Sequence, residues 1–471
     1  MIQKVLTWVT AVLENLFFAG IIFGWANIEP VLVKEGYFSE GCVNASIPNN
    51  VTMVTKGATD CEFQQKQLSL VFTIATSCGL LFNIAVGSAL DYLGIWTVRT
   101  VLINIAVLAL AITGVGSHRT LYFTFPILHI AGLGLHVTNL QMSNIFDSRR
   151  NLYVSSISGA LMSSSLTFLT FSYLYDQYSV SFETLFTIFA IIYSFLNLRT
   201  FMLTPKIRAP KNISKGFKYG YNQLMCFTKS QIEPVKDSCV EINDGDTKTE
   251  FKSFACSLLF ITTVISNSVA NFVYMLYISN FNMFISSLLK TDYKESEETA
   301  VFYGNIFGIV QFSGLIFSFL NGATAHFLKR NNSTNGSKGE IKCCLVGLFI
   351  GCACTIGMQI CTVFSSVQLQ LLSMTLQVLG KAFFISSSNT FISMTFPCKI
   401  FGRLYSVLAV CQALFLLLQH LLMLLLEDVL NRNFVVFNSC MTCVSVLTLA
   451  QPLYVVYWLK VKKTSFDRSS S

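Results

Sequence analysis

A carboxylate, an ammonium and a set of side-chain amides stand inside the most apolar stretches of this sequence. Glu14 lies in an apolar run over about 5–32, and Phe18, Ile21 and Trp25 share its face by the i, i+4, i+7 rule. An ionised group near the middle of such a run is costly unless it is paired or hydrated. Two readings are open for Glu14: a cavity carboxylate that binds a solute or closes a gate, or a protonated or hydrogen-bonded structural residue. Lys381 stands at comparable depth in a run over 368–395. It could pair with Glu14 across a cavity, or be neutralised within its own half of the chain. Arg199 lies near the end of a run over 180–203, where a long side chain can snorkel to the interface.

The amides form a second set. Asn267, Asn271 and Tyr274 fall on one stripe of the run over 253–284, Asn305 and Gln311 lie in 300–321, Asn139 and Gln141 in 121–143, and Asn389 in 368–395. An amide can meet both donor and acceptor atoms of a polar solute, and an aromatic ring can stack on a flat one. The other common use of a membrane amide is a hydrogen bond between helices. His129 and His136 share a face, which suits a proton relay or a structural role. Cys440 and Cys443 have redox-motif spacing but sit in the last apolar run. Most of the 15 Cys lie in such runs, where they act as small hydrophobes. The sequence offers no convincing phosphate loop, nucleotide fingerprint, zinc spacing or nucleophilic triad. We therefore expect neither an enzyme nor an ATP-driven pump, and no metal or cofactor.

The elements that hold these residues follow from composition. The chain of 471 residues is 53% hydrophobic and 12% charged, has 42 Phe, and shows a mean hydropathy of +0.59. Soluble domains carry about 25% charged residues. Runs of about 20 apolar residues match a hydrocarbon core about 30 Å thick. They fall near 5–32, 67–90, 100–116, 121–143, 152–175, 180–203, 253–284, 300–321, 342–366, 368–395, 405–426 and 434–459. The first is longer than a signal-peptide core, contains Glu14 and lacks an obvious cleavage site, so it reads as a retained helix.

Loop charge sets the expected orientation. The segment 204–252 holds nine cations, from Lys206 and Arg208 to Lys252, and Arg149, Arg150, Lys329, Arg330, Lys399, Arg403, Lys460, Lys462 and Lys463 lie in joints on the same side. The opposite joints carry Glu35, Glu40, Asp60, Glu295, Glu297 and Glu298. The positive-inside rule places both termini and 204–252 in the cytoplasm. The net charge of +8 therefore needs no nucleic-acid partner. The first outer loop, 33–66, holds glycosylation acceptors at Asn44 and Asn50 between Cys42 and Cys61, which can form a disulfide on the oxidising side. Sequons at Asn212, Asn331, Asn332 and Asn335 fall on the inner side and should stay unmodified.

The polar joint 204–252 splits the chain into a bundle over 1–203 and a second over 253–460, followed by a tail over 461–471. Internal similarity supports duplication. Gly87-Ser-Ala-Leu-Asp91 follows the second run as Gly322-Ala-Thr-Ala-His326 follows the eighth, and Thr138-Asn139 to Phe146 closes the fourth run as Ser388-Asn389 to Phe396 closes the tenth.

Gly87-Ser-Ala-Leu-Asp91-Tyr-Leu-Gly94, with Arg99 beyond, resembles the loop 2–3 signature of the major facilitator superfamily. The resemblance implies an all-α fold of twelve transmembrane helices in two pseudo-symmetric six-helix halves. It also implies a cytoplasmic gate at Gly87, Asp91, Gly94 and Arg99. Tyr92, Ile95 and Trp96 replace the basic residues usual in that loop, which weakens the expected gate. Glu14-Asn-Leu-Phe-Phe-Ala-Gly20 through Gly24-Trp25, Thr138-Asn139-Leu-Gln141, Arg199-Thr-Phe201, and Phe396-Pro397 through Leu404 resemble the solute carrier 43 family over essentially all the helical chain. That likeness implies a plasma-membrane facilitative carrier. Its expected cargo is a purine nucleobase such as adenine, guanine or hypoxanthine. Neutral amino acids, moved without sodium, and a non-transporting role in fatty-acid flux are the alternatives. The candidate substrate residues are Glu14, Phe18, Asn139, Gln141, Asn267, Asn271, Tyr274, Gln311, Lys381 and Asn389.

Overall fold

The computed structural model describes residues 2–42, 62–206, 219–220, 251–289, 293–331, 337–364, 366–396 and 398–469. Among the described residues, each expected run is mainly helical. In chain order the spans are α1 (Ile2–Ala19 with Ile21–Lys34), α2 (Phe63–Leu90), α3 (Tyr92–Val115), α4 (His118–Gln141), α5 (Leu152–Tyr178) and α6 (Phe182–Leu203). The second half comprises α7 (Leu258–Leu288), α8 (Phe302–Thr324), α9 (Cys344–Val363), α10 (Val367–Ile392), α11 (Leu404–Val429) and α12 (Phe434–Lys460). Helices suit a bilayer because they satisfy every backbone polar group within the segment. Large apolar side chains such as Leu108, Ile191, Ile309 and Leu421 stay on the outer surface, as lipid contact permits.

The first span is broken. The regular helix Ile2–Glu14 passes into a π-helical stretch at Asn15–Ala19, leaves helical geometry at Gly20, and resumes after a 53° bend. Hydroxyl groups of α5 supply the bonds that the break disturbs. The Gly20 N–H donates to Ser164 Oγ at 3.1 Å, and Thr167 Oγ1 donates to the Phe17 carbonyl at 2.7 Å. Tight backbone approach fixes the broken segment between α4 and α5. A Cβ at Gly20 would stand 2.6 Å from the Leu161 carbonyl oxygen, and one at Gly132 would stand 2.1 Å from the Ala19 carbonyl oxygen.

Gly94, the third residue of α3, breaks its helical geometry with φ of +77°, a region that disfavours side chains. The Lys206 carbonyl closes over it, accepting the Ile95 N–H at 3.0 Å. The two halves meet along α5 and α8. Ser163 Oγ donates to the Phe312 carbonyl at 3.0 Å and accepts the Leu315 N–H at 2.8 Å. Asn44, Asn50 and Cys61, with nearly all of 204–252, lie outside the described residues.

Candidate functional site

Glu14 stands at the last regular turn before the π-helical stretch, and its carboxylate points into the first bundle. Arg99 Nη2 from α3 and Arg199 Nη1 from α6 each lie 2.5 Å from Glu14 Oε2. Asn139 Nδ2 from α4 donates to Oε1 at 2.8 Å. The other guanidinium nitrogens also have partners. Arg99 donates to Thr138 Oγ1 at 2.6 Å and Thr200 Oγ1 at 3.1 Å, and Arg199 donates to Thr10 Oγ1 at 3.0 Å and Asn139 Oδ1 at 3.1 Å. The Glu14 and Arg99 side chains are fully enclosed. One carboxylate thus serves two guanidiniums, and the cluster keeps an excess positive charge. Such an arrangement needs good geometry and extensive hydrogen bonding, and here every guanidinium nitrogen and both carboxylate oxygens have a partner.

This cluster differs from the sequence expectations in three ways. The Glu14–Lys381 pair does not form, because two closer cations on Glu14's own half take the carboxylate. Arg99, expected at the gate, is buried against Glu14. Arg199, expected to snorkel, turns inward for the same partner. Their pairing needed the mutual approach of α1, α3, α4 and α6, which no spacing in the chain encodes.

Lys381 occupies a different place. It is 2% exposed on α10, and its Nζ lies 3.6 Å from the centroid of the Phe23 ring, a cation–π contact between the halves. His129 on α4 meets the same Phe23 edge-on, with ring centroids 6.0 Å apart. The Lys381 ammonium and His129 Nδ1 have no hydrogen-bond partner among the described residues. One turn earlier on α10, the buried Gln377 accepts from Gln311 Nε2 of α8 at 2.8 Å. Gln377 was missed in the sequence. Its i, i+4 relation to Lys381 was the available signal.

The other candidates divide. Asn267 Nδ2 donates to Ser388 Oγ at 2.7 Å, and Tyr274 shares a bond with Thr355 at 2.5 Å, so both are held inside the second bundle. Asn271 is buried on the same helix. Phe18 stacks on Phe189 at 5.4 Å within an aromatic cluster of the first bundle. Asn139 joins Glu14, Gln141 is half-buried, and Asn389 is exposed at the far end of α10. His136 Nδ1 meets Asn15 Oδ1 at 2.8 Å. Of the expected gate residues, Gly94 makes the turn described above. Among the described residues, Gly87 has no neighbour within 4 Å of an added Cβ, so their packing does not require glycine there. The Asp91 side chain lies outside the described residues.

A further set was not foreseen. At the end of the bundle opposite the N-terminus, Lys66 Nζ reaches from the start of α2 to α11, 2.7 Å from Asp428 Oδ1 and 3.4 Å from Glu427 Oε2. Arg432 Nη2 lies 3.2 Å from Gln65 Oε1. On the adjoining seam, Asn27 donates to the Gly304 carbonyl, and Asn282 donates to the Ala26 carbonyl and Glu29 Oε2, each at 2.9 Å.

A family profile described as Major Facilitator Superfamily matches residues 36–418. The chain belongs to the Major Facilitator Superfamily. Among curated proteins, it is 25% identical to equilibrative nucleobase transporter 1 of Bos taurus, with 96% of each chain covered. It is 23% identical to large neutral amino acids transporter small subunit 3 of Mus musculus, over 95% of this chain and 92% of the relative. Among solved structures, a mutant of the nucleoside transporter NupG aligns with TM-score 0.57 and 13% identity, over 95% of this chain and 99% of that one. This last likeness speaks to fold. The Major Facilitator chain is thus a membrane transporter rather than an enzyme. In transporters of this superfamily the halves rock about a site between them. A contact that joins the halves at one end must part when that end opens.

Proposed function

We propose that this chain is a facilitative carrier of purine nucleobases such as adenine, guanine and hypoxanthine. It works in the plasma membrane by alternating access, with both termini in the cytoplasm. The observation that carries the cargo assignment is the commitment of Glu14 to Arg99, Arg199 and Asn139. An α-amino acid needs a carboxylate for its ammonium beside a cation for its carboxylate. Lys381 offers the cation, but Glu14 is spent within its own bundle. Glu29 lies six residues beyond Phe23, about 9 Å of helical rise, which is too far to serve both ends of one small zwitterion. A flat, neutral heterocycle asks for donors, acceptors and aromatic faces, which Lys381, Gln311, Gln377 and Phe23 supply at the seam between the halves.

The contacts of Lys66, Asp428, Asn27 and Asn282 are read as the outer gate in its closed state, with Gly94 and the Lys206 carbonyl at the inner end. Asn44 and Asn50 are read as glycosylated and Cys42 as bridged to Cys61 in the first outer loop. The second cargo reading, a neutral amino acid, is favoured by the mouse relative named above. Uptake of labelled adenine into liposomes holding the full-length protein, in competition with unlabelled adenine or leucine, decides between them. Competition by adenine alone is expected. Adenine uptake that leucine blocks as well as adenine does, or no uptake of adenine, would overturn the proposal.

A further inference from the structure

Among the described residues, three of the unsatisfied polar atoms around α10 belong to Lys381, Gln377 and its partner Gln311, and together they have a definite chemical preference. The Lys381 ammonium offers three donors and no acceptor, and among the described residues it meets the face of Phe23 and has no hydrogen-bond partner. The Gln311–Gln377 pair uses one donor and one acceptor on itself and leaves Gln311 Oε1 and Gln377 Nε2 without partners among the described residues. Turning both amides over exchanges the two orphans but still leaves one donor and one acceptor. All three side chains are enclosed, with Lys381 2% exposed and both glutamines 0%. A buried polar group without a partner carries a desolvation cost that a complementary ligand removes. Gln377 and Lys381 lie one helical turn apart on the same face of α10, so a single small ligand can meet both.

We propose that Lys381 and the Gln311–Gln377 pair form a subsite for the carbonyl edge of a 6-oxopurine, which takes the place of the Phe23 ring against the ammonium. This rests on the nucleobase reading above and narrows it. A 6-oxopurine presents O6 and N7 as adjacent acceptors, the pattern a lysine reads on guanine. Its N1–H can donate to the orphan amide oxygen. Adenine places an amino donor where O6 would be, so the ammonium there meets a second donor. The site therefore prefers hypoxanthine and guanine to adenine. When a buried polar group is left unpaired, discrimination by at least about tenfold is expected.

The test uses the full-length protein in liposomes and measures how well unlabelled hypoxanthine and adenine compete for uptake of labelled guanine. The wild type should favour hypoxanthine by about tenfold, and Lys381→Met should bring the ratio of the two competition constants towards one. Gln377→Leu is measured in parallel, with thermal stability in detergent as the check on folding, and should lower the same ratio. If Lys381→Met does not fold, the ratio for Gln377→Leu decides. A wild type that carries purines without preference overturns the subsite and leaves the nucleobase reading standing. So does a folded variant that keeps the wild-type ratio. A wild type that carries no purine removes both.

Discussion

Glu14 Oε2 and Arg199 Nη1 lie 2.5 Å apart inside the first bundle, and Arg99 makes the same 2.5 Å approach to the same oxygen. This sharing makes Glu14 the keystone of a helix junction. The second cation also explains why the carboxylate is not free to engage Lys381. The cluster ties α1, at its change from α- to π-helix, to α3, α4 and α6, and so stiffens the half that must move as a unit.

Glu14→Gln should therefore act first on stability. It leaves two enclosed guanidiniums facing one another, and breaking a buried pair in this way costs about 3–5 kcal/mol. Thermal unfolding of the purified variant in detergent should show a clear loss, and less protein should reach the cell surface. A Glu14→Gln protein that melts with the wild type would show that the cluster holds nothing together.

Two glycines give a paired prediction. A Cβ at Gly132 would stand 2.1 Å from the Ala19 carbonyl oxygen, whereas one at Gly87 meets nothing within 4 Å among the described residues. Gly132→Ala must push α1 away from α4, at a cost of about 1–3 kcal/mol. Gly87→Ala should stay within about 0.5 kcal/mol of the wild type. Melting temperatures of the two variants check both, and equal losses would contradict the packing.

Lys66→Glu should loosen the end of the bundle opposite the N-terminus by setting like charges against Asp428 and Glu427, which Lys66 now meets at 2.7 and 3.4 Å. Cysteines introduced near Asn27 should then react faster with a thiol reagent added on that side, and Lys66→Glu combined with Asp428→Lys should restore slow reaction. Labelling rates that ignore the charge reversal would show that this contact is not part of a gate.

The loop over 33–66, proposed to lie outside, gives a biochemical check on orientation. Endoglycosidase should shift the mobility of the cell-expressed protein, and Asn44→Gln with Asn50→Gln together should abolish the shift. A shift that persists in the double variant would point to the sequons assigned to the other side.

The sequence by itself determined the spans, because a bilayer imposes about 20 apolar residues on any helix that crosses it. The expected run over 121–143 and the observed α4 at His118–Gln141 differ only at their ends. It also determined that Glu14 and Lys381 needed an explanation, since a charge in such a run is costly wherever it points. Tertiary structure alone decided who meets them. Arg99 and Arg199 come from spans far apart in the chain. Each is unremarkable near a helix end, where snorkelling is the cheaper default until a buried carboxylate competes for it. The break at Gly20 was equally hidden, because apolar periodicity does not register a hydroxyl arriving from α5 to take a backbone N–H. Partner choice in a polytopic protein depends on which helices touch, and packing between helices is set by small local shapes such as Gly132 against Ala19 rather than by hydropathy.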